Sequence, residues 1–262
     1  MNWPDTQRLA LDDTAGVLTI SLNRPQLKNA MNLDMVKELM AVFEALKNSK
    51  IRIVVLKGRG GNFCAGGDVK DMALAANQGS MVQLNRAFGH MIECADTLPQ
   101  VMICVLEGAV LGGGLGLACV SDIAMTTASA QFGMPETSLG LIPAQIAPFV
   151  VKRIGLTHTR RLALTAARFG GEEARSLGLV QYCCADKGEL DDCLAEQIKR
   201  IKSCAPKANA LTKALLHKVG TVAIDTLLDE AAQDFARSLC GDEAQEGIRA
   251  FQEKRKPGWA HG

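Results

Sequence analysis

The chain has 262 residues, a formal net charge of +1 and 48% hydrophobic residues. That length and apolar content suit one large domain, or one domain with a helical extension; near-neutrality gives no pull toward nucleic acid or a membrane surface. Its nine cysteines are scattered, odd in number and without a C-x-x-C pair, which fits reduced, mostly buried thiols in a cytoplasmic protein.

Residues 1–10 are polar and lack the apolar core of a secretory leader. Short apolar runs at 9–11 and 17–22 predict two strands around a turn at 12–16, and Asn23-Arg24-Pro25 ends the second. From Asn32 the spacing becomes helical, with Met35, Val36, Leu39, Met40, Phe43 and Leu46 on one face. A buried-type strand is expected at 51–56. Next come a glycine-rich loop at 58–62 and the turn Phe63-Cys64-Ala65-Gly66-Gly67-Asp68. Helical spacing resumes near Val69 and again over Leu84, Phe88, Met91, Ile92 and Ala95.

Residues 101–106 read as the next strand, leading into Gly112-Gly113-Gly114 and a helix. The apolar stretch 101–120 has the length of a membrane span, but Glu107 and the glycines argue for a buried strand, turn and helix. A strand at 122–127 follows, then Gln131-Phe132-Gly133 and a Pro-flanked stretch at 134–140. Beyond Pro143 the pattern is helical, with one clear strand at 180–184. Strands alternating with helices predict an α/β fold, with a core domain over 1–199 and a helical C-terminal region over 200–262.

Two glycine-rich turns, at 65–68 and 112–114, each follow a strand and precede a helix. Helix starts leave N–H groups without intrahelical partners, at the positive end of the dipole. Two such turns can aim two donors at one oxygen that becomes negative during a reaction. Tight helix packing accounts for a glycine run equally well. No G-x-S-x-G elbow is present, and His90, His158, His217 and His261 lie far from both turns in sequence. Cys64 suits packing. There is no H-E-x-x-H and no carboxylate cluster, so no metal is expected, and residues 112–116 lack the order of a dinucleotide fingerprint. The basic cluster Lys254-Arg255-Lys256 reads as a solvated tail or a phosphate contact. Glu136 stands among Phe132, Met134, Leu139, Leu141 and Ile142. It is either a surface-loop glutamate or a carboxyl tuned for general acid/base work.

The chain resembles the enoyl-CoA hydratase/isomerase (crotonase) superfamily. The resemblance rests on Asn23-Arg24-Pro25 with Asn29-Ala30, the 63–68 turn, the 108–118 stretch, Asp122-Ile123-Ala124, Phe132 with Pro135-Glu136, and Leu139-Gly140-Leu141-Ile142-Pro143. It covers roughly residues 5–255. It implies a crotonase-type ββα spiral with a C-terminal helical trimerisation region. The partner it implies is an acyl-CoA thioester, with coenzyme A as part of the substrate and no separate cofactor. A homotrimer or dimer of trimers is expected, with no nucleic-acid or membrane partner. By position, the resemblance places the oxyanion-hole N–H groups at Gly67 and Gly113 and a catalytic acid at Glu136. Lys28, Ala30, Ala65, Gly66, Asp68 and Val69 fall where such proteins hold coenzyme A, largely through backbone.

One departure matters. Hydratases with two glutamates carry the second where this chain has Gly116, flanked by Leu115 and Leu117. A single glutamate also resembles the isomerases of the family. The runs at 114–117 and 139–148 look like the branch acting on 3-substituted glutaconyl-CoA esters, methylglutaconyl-CoA and isohexenylglutaconyl-CoA hydratases, which serve leucine and acyclic terpene breakdown. Gly116 is then expected to free volume for a β-substituent and to avoid repelling a substrate carboxylate. Gln145 is expected to position water or that carboxylate, or to be a helix-start surface residue. The resulting expectation is a hydro-lyase acting on a branched enoyl-CoA. The rivals are an isomerase or decarboxylase of the same fold and a non-catalytic CoA-ester binding subunit.

Overall fold

The strand β3 (Ile53–Gly58) is apolar on both sides because both of its faces are covered. In the computed structural model, which describes residues 3–77 and 79–261, it lies in a six-stranded sheet. The order is β1 (Leu9–Thr14), β2 (Val17–Leu22), β3, β4 (Val101–Leu106), β6 (Ile123–Thr127) and β9 (Tyr182–Cys184). Within this sheet β1 and β2 pair antiparallel, with Leu9 opposite Leu22, and the other pairs are parallel. Strand β1 runs three residues further than expected. The connecting turn shrinks to Ala15 and Gly16, both at positive φ (52° and 76°), as a tight two-residue hairpin demands.

A second sheet joins β5 (Ala109–Leu111), β7 (Gln131–Gly133) and β8 (Arg168–Gly170). Cys64 extends it through a parallel bridge to Val110. Successive turns of the chain thus give one strand to the large sheet and a short rung to the small one, which is the ββα spiral. The rungs hold three residues each, too few to show a sequence period, and β5 and β8 were not expected.

Among the described residues, ten α-helices complete the fold: α1 (Leu33–Lys47), α2 (Val69–Asn77), α3 (Met81–Asp96), α4 (Gly113–Val120), α5 (Ala147–Thr165), α6 (Gly171–Ser176), α7 (Lys187–Ser203), α8 (Pro206–Lys218), α9 (Ile224–Leu239) and α10 (Asp242–Gln252). Asn32 caps α1 by accepting the Met35 N–H at 3.1 Å, a contact worth roughly 1 kcal/mol. The main core joins Val54, Leu56, Met102 and Cys104 of the large sheet to α1, α3 and α4. On the other face Ile53, Val55, Ile103 and Val105 pack on Leu190 and Ile201 of α7. Full burial of each such side chain contributes roughly 1.5–3 kcal/mol.

The division expected between residues 199 and 200 falls inside α7, whose packing on the sheet ties it to the core. Helix α7 ends at Ser203, and α8 begins at Pro206. Helices α9 and α10 leave Ile224, Leu228, Phe235, Ile248 and Phe251 exposed. Among the described residues no helix is long and apolar enough to cross a membrane.

Candidate active site

Helix α4 is apolar all round and buried, as a central helix must be. From Val110 to Ser121 every residue is buried except Gly113, the first of the helix, which is partly exposed. Gly67 is likewise half-exposed, beside buried Gly66. The two turns touch: a Cβ on Gly66 would sit 3.5 Å from the Leu111 carbonyl oxygen and 4.0 Å from Gly112 Cα. Among the described residues, neither the Gly67 nor the Gly113 N–H has a hydrogen-bond acceptor in a turn, loop or side chain. Gly113 is the first residue of its helix, so its N–H has no intrahelical partner either. Two methyl groups cover these glycines: Met72 Cε packs on Gly67, and Met31 Cε lies 2.5 Å from where a Gly113 Cβ would be.

Glu136 is carried to the same place. Strand β7 pairs with β5, Gly133 opposite Leu111, and the Gly133 carbonyl accepts the Gly112 N–H at 3.1 Å. Phe132 stacks on Phe169 with ring centroids 5.4 Å apart, which fixes the strand. A short 3-10 turn, Glu136–Leu139, then points the carboxyl back at α4; Thr137 Oγ1 donates to the Ala163 carbonyl at 2.6 Å and anchors that turn to α5. Glu136 Oε1 lies 2.9 Å from the position a Gly112 Cβ would take. Gly112 has φ +49°, so glycine is needed there both for the backbone and for the carboxyl. Glu136 Oε2 is buried and has no hydrogen-bond partner. Burial pushes the carboxyl above its ordinary pKa, the direction a proton carrier near neutral pH requires.

The expected coenzyme A segments, 28–30 and 65–69, run side by side. The Ala65 N–H donates to the Lys28 carbonyl at 3.0 Å, the Met31 N–H to Gly66 at 2.8 Å, and the Asp68 N–H to Met31 at 2.8 Å. Lys28 and Val69 are exposed, while Ala30 is half-buried. The Asn23-Arg24-Pro25 signature builds this platform. Arg24 Nη1 donates to the Ala30 carbonyl at 2.6 Å and Nη2 to Asp68 at 2.9 Å. Buried Asn29 accepts the Arg24 N–H and donates to the carbonyls of Arg59 and Asn62. Asp68 is therefore occupied within the protein. Burial raises its pKa, but the Arg24 guanidinium and neighbouring N–H groups outweigh that and hold it below the ordinary aspartate range.

Gly116 does not open the expected space. A Cβ there would meet Ile146 Cγ2 at 2.6 Å and Ile92 Cδ1 at 2.9 Å, so two isoleucines already fill that volume. Gln145 packs on Gly89 of α3, and its Nε2 donates to Asn85 at 2.9 Å. It clamps the loop before α5 to α3 rather than standing as a helix-start surface residue. Helical spacing marks Phe88 and Ile92 only as a helix face, and Met31, Met72 and Ile146 have no local signal that singles them out.

Cys64 is no nucleophile: it is fully buried, accepts the Gly66 N–H at 3.4 Å, and burial pushes its thiol up to about 11. His90 pairs with Glu93, His217 sits beside Asp96 and Lys152, and His158 is exposed. The side chain of His261 lies outside the described residues. Among the described residues no cluster of three or more His, Cys, Asp or Glu could hold a metal.

Residues 12–262 match the protein family described as enoyl-CoA hydratase/isomerase. The fold is similar to that of Pseudomonas aeruginosa AtuE, with a TM-score of 0.96 and 55% identity, covering 97% of this chain and 100% of that one. The putative enoyl-CoA hydratase/isomerase YngF of Bacillus subtilis is 31% identical, over 90% of this chain and 92% of its own. The mitochondrial methylglutaconyl-CoA hydratase of Mus musculus is 29% identical, over 94% of this chain and 80% of its own.

Proposed function

Because the chain belongs to the enoyl-CoA hydratase/isomerase family, we propose that it adds water across the α,β double bond of an acyl-CoA thioester, with one carboxyl managing the protons. The observation that carries this reading is Glu136 Oε1 pressed against Gly112, between the two turns whose N–H groups lack acceptors. The thioester oxygen sits between the Gly67 and Gly113 N–H groups. Glu136, as carboxylate, takes a proton from water as the hydroxyl bonds to Cβ. Electron density moves to the thioester oxygen, where each N–H is worth roughly 2.7–4 kcal/mol at the transition state. The protonated Glu136 then delivers its proton to Cα. Water has been added and the carboxylate regenerated.

Coenzyme A lies along 28–30 and 65–69. The acyl group is a branched, 3-substituted glutaconyl chain. In support, a methylglutaconyl-CoA hydratase is among the relatives. The exposed apolar faces of α9 and α10 support a trimer or a dimer of trimers. A second reading, double-bond isomerisation, is favoured by the single carboxyl, since moving one proton needs one group. Turnover in heavy-oxygen water separates the two. Hydration places the label in the product, and product without label overturns it. Running 3-methylglutaconyl-CoA beside crotonyl-CoA tests the acyl group.

A further inference from the structure

Gly112 is the N-cap of α4 and Gly116 lies in its first turn, the two joined by the Gly116 N–H to Gly112 carbonyl bond at 3.0 Å. Glu136 stands against the first and Ile146 against the second. The carboxyl thus meets α4 at its N-cap, and the Ile146 side chain meets it one turn further on. Ile146 is 5% exposed and Ile92 is fully buried, so this part of the wall is dry and closed. Ile146 is held there by its neighbour: Gln145 bonds Asn85 and packs on Gly89, pinning the loop to α3. Phe88, next to Gly89, comes within 3.9 Å of where a Gly113 Cβ would be, so the same stretch of α3 lines both the oxygen site and the Ile146 wall.

We propose that Ile146 is a specificity-determining residue: with Ile92 it fills the place beside Gly116, closes it to a second acid, and limits the group that an acyl chain carries at Cβ. The inference rests on the reading that Gly67 and Gly113 hold the thioester oxygen, because that fixes Cβ near this wall. A carboxyl at residue 116 meets two isoleucine side chains and finds no polar partner among them.

The test uses saturated thioesters, which bind without reacting, so it does not depend on whether the reaction is hydration or isomerisation. Calorimetric titration of wild type, Ile146→Val and Ile146→Ala with butanoyl-CoA and 3-methylpentanoyl-CoA gives a selectivity ratio. The ratio is expected to shift by about tenfold toward the branched ester in Ile146→Ala, with a smaller shift in the same direction in Ile146→Val. An unchanged ratio in both variants overturns the proposal. Ile146→Val guards against a folding loss in the smaller variant, and equal thermal melts certify the comparison. The acid-excluding role has its own arm. Gly116→Glu alone loses turnover of crotonyl-CoA, and Gly116→Glu with Ile146→Ala recovers at least about tenfold of it. If the single Gly116→Glu change performs as well as the pair, Ile146 is not the plug. Failure of wild type to bind either thioester would instead remove the underlying reading.

Discussion

Glu136→Gln keeps the shape of the side chain and removes its proton chemistry. With one carboxyl at the site, no neighbour takes over, so kcat is expected to fall by roughly 10²–10⁴-fold. That corresponds to about 2.7–5.4 kcal/mol of barrier. Thioester affinity changes little, because the N–H groups and the coenzyme A platform are untouched. The same substitution steadies the fold. Glu136 Oε2 is buried without a partner, and burial raises the pKa of the carboxyl in the folded chain. The folded protein therefore holds this proton more tightly than the unfolded chain does. Its contribution to stability is full below the ordinary glutamate pKa of 4.5 and is lost as pH rises through the raised native value. Glutamine cannot ionise, so the variant is expected to melt above wild type at pH 8, by a margin that grows as pH rises from 4.5. The advantage fades toward pH 4.5. Loss of the enoyl-thioester absorbance gives turnover, and melts at both pH values give stability. Near-wild-type kcat, or a melting difference that does not grow with pH, would refute the reasoning.

Gly113→Pro removes one donor at the helix position where the proline backbone is best tolerated; kcat is expected to drop by about 10²–10³-fold, with a lowered melt because the ring meets Met31 Cε, 2.5 Å from the Cβ position. Retained kcat would mean that this N–H is not used. Arg24→Met leaves Asp68 without its partner in a pair only 11% and 12% exposed, at a cost of about 3 kcal/mol, with weaker coenzyme A ester binding. Because the Asp68 pKa is lowered, its contribution is present above the ordinary aspartate value of 3.8 and lost as pH falls through the native one. Acid melts of this variant are therefore expected to be flatter than those of wild type. Alkylation by iodoacetamide at pH 8 is expected to mark exposed Cys204 and Cys240 well before buried Cys64, Cys104 and Cys119, with activity retained. Early loss of activity together with labelling of Cys64 would reopen a thiol mechanism.

The long elements were legible because their periodicity is long. Residues 101–106 announce β4 without error, and Asn32 before Met35 and Val36 announces the start of α1. The short rungs were hidden. Ala109–Leu111 is a continuation of an apolar run, and Arg168–Gly170 is three residues amid helical spacing. The two glycine turns and Glu136 could be picked out because glycine clusters and a carboxyl in an apolar loop are unusual as local sequence. The wall beside Gly116 could not. Ile146 lies 30 positions further along the chain, and nothing local says that an isoleucine folds back into the place of a missing acid. The Arg24–Asp68 pair spans 44 positions and stayed hidden for the same reason.

Everything proposed for the chemistry turns on where the thioester carbonyl rests. A crystal structure with butanoyl-CoA bound answers this directly. The account predicts the carbonyl oxygen about 2.7–3.1 Å from both the Gly67 and the Gly113 nitrogen, with Glu136 beside Cα and Cβ. An oxygen that meets neither amide, or an acyl chain on a path away from Glu136, would contradict it.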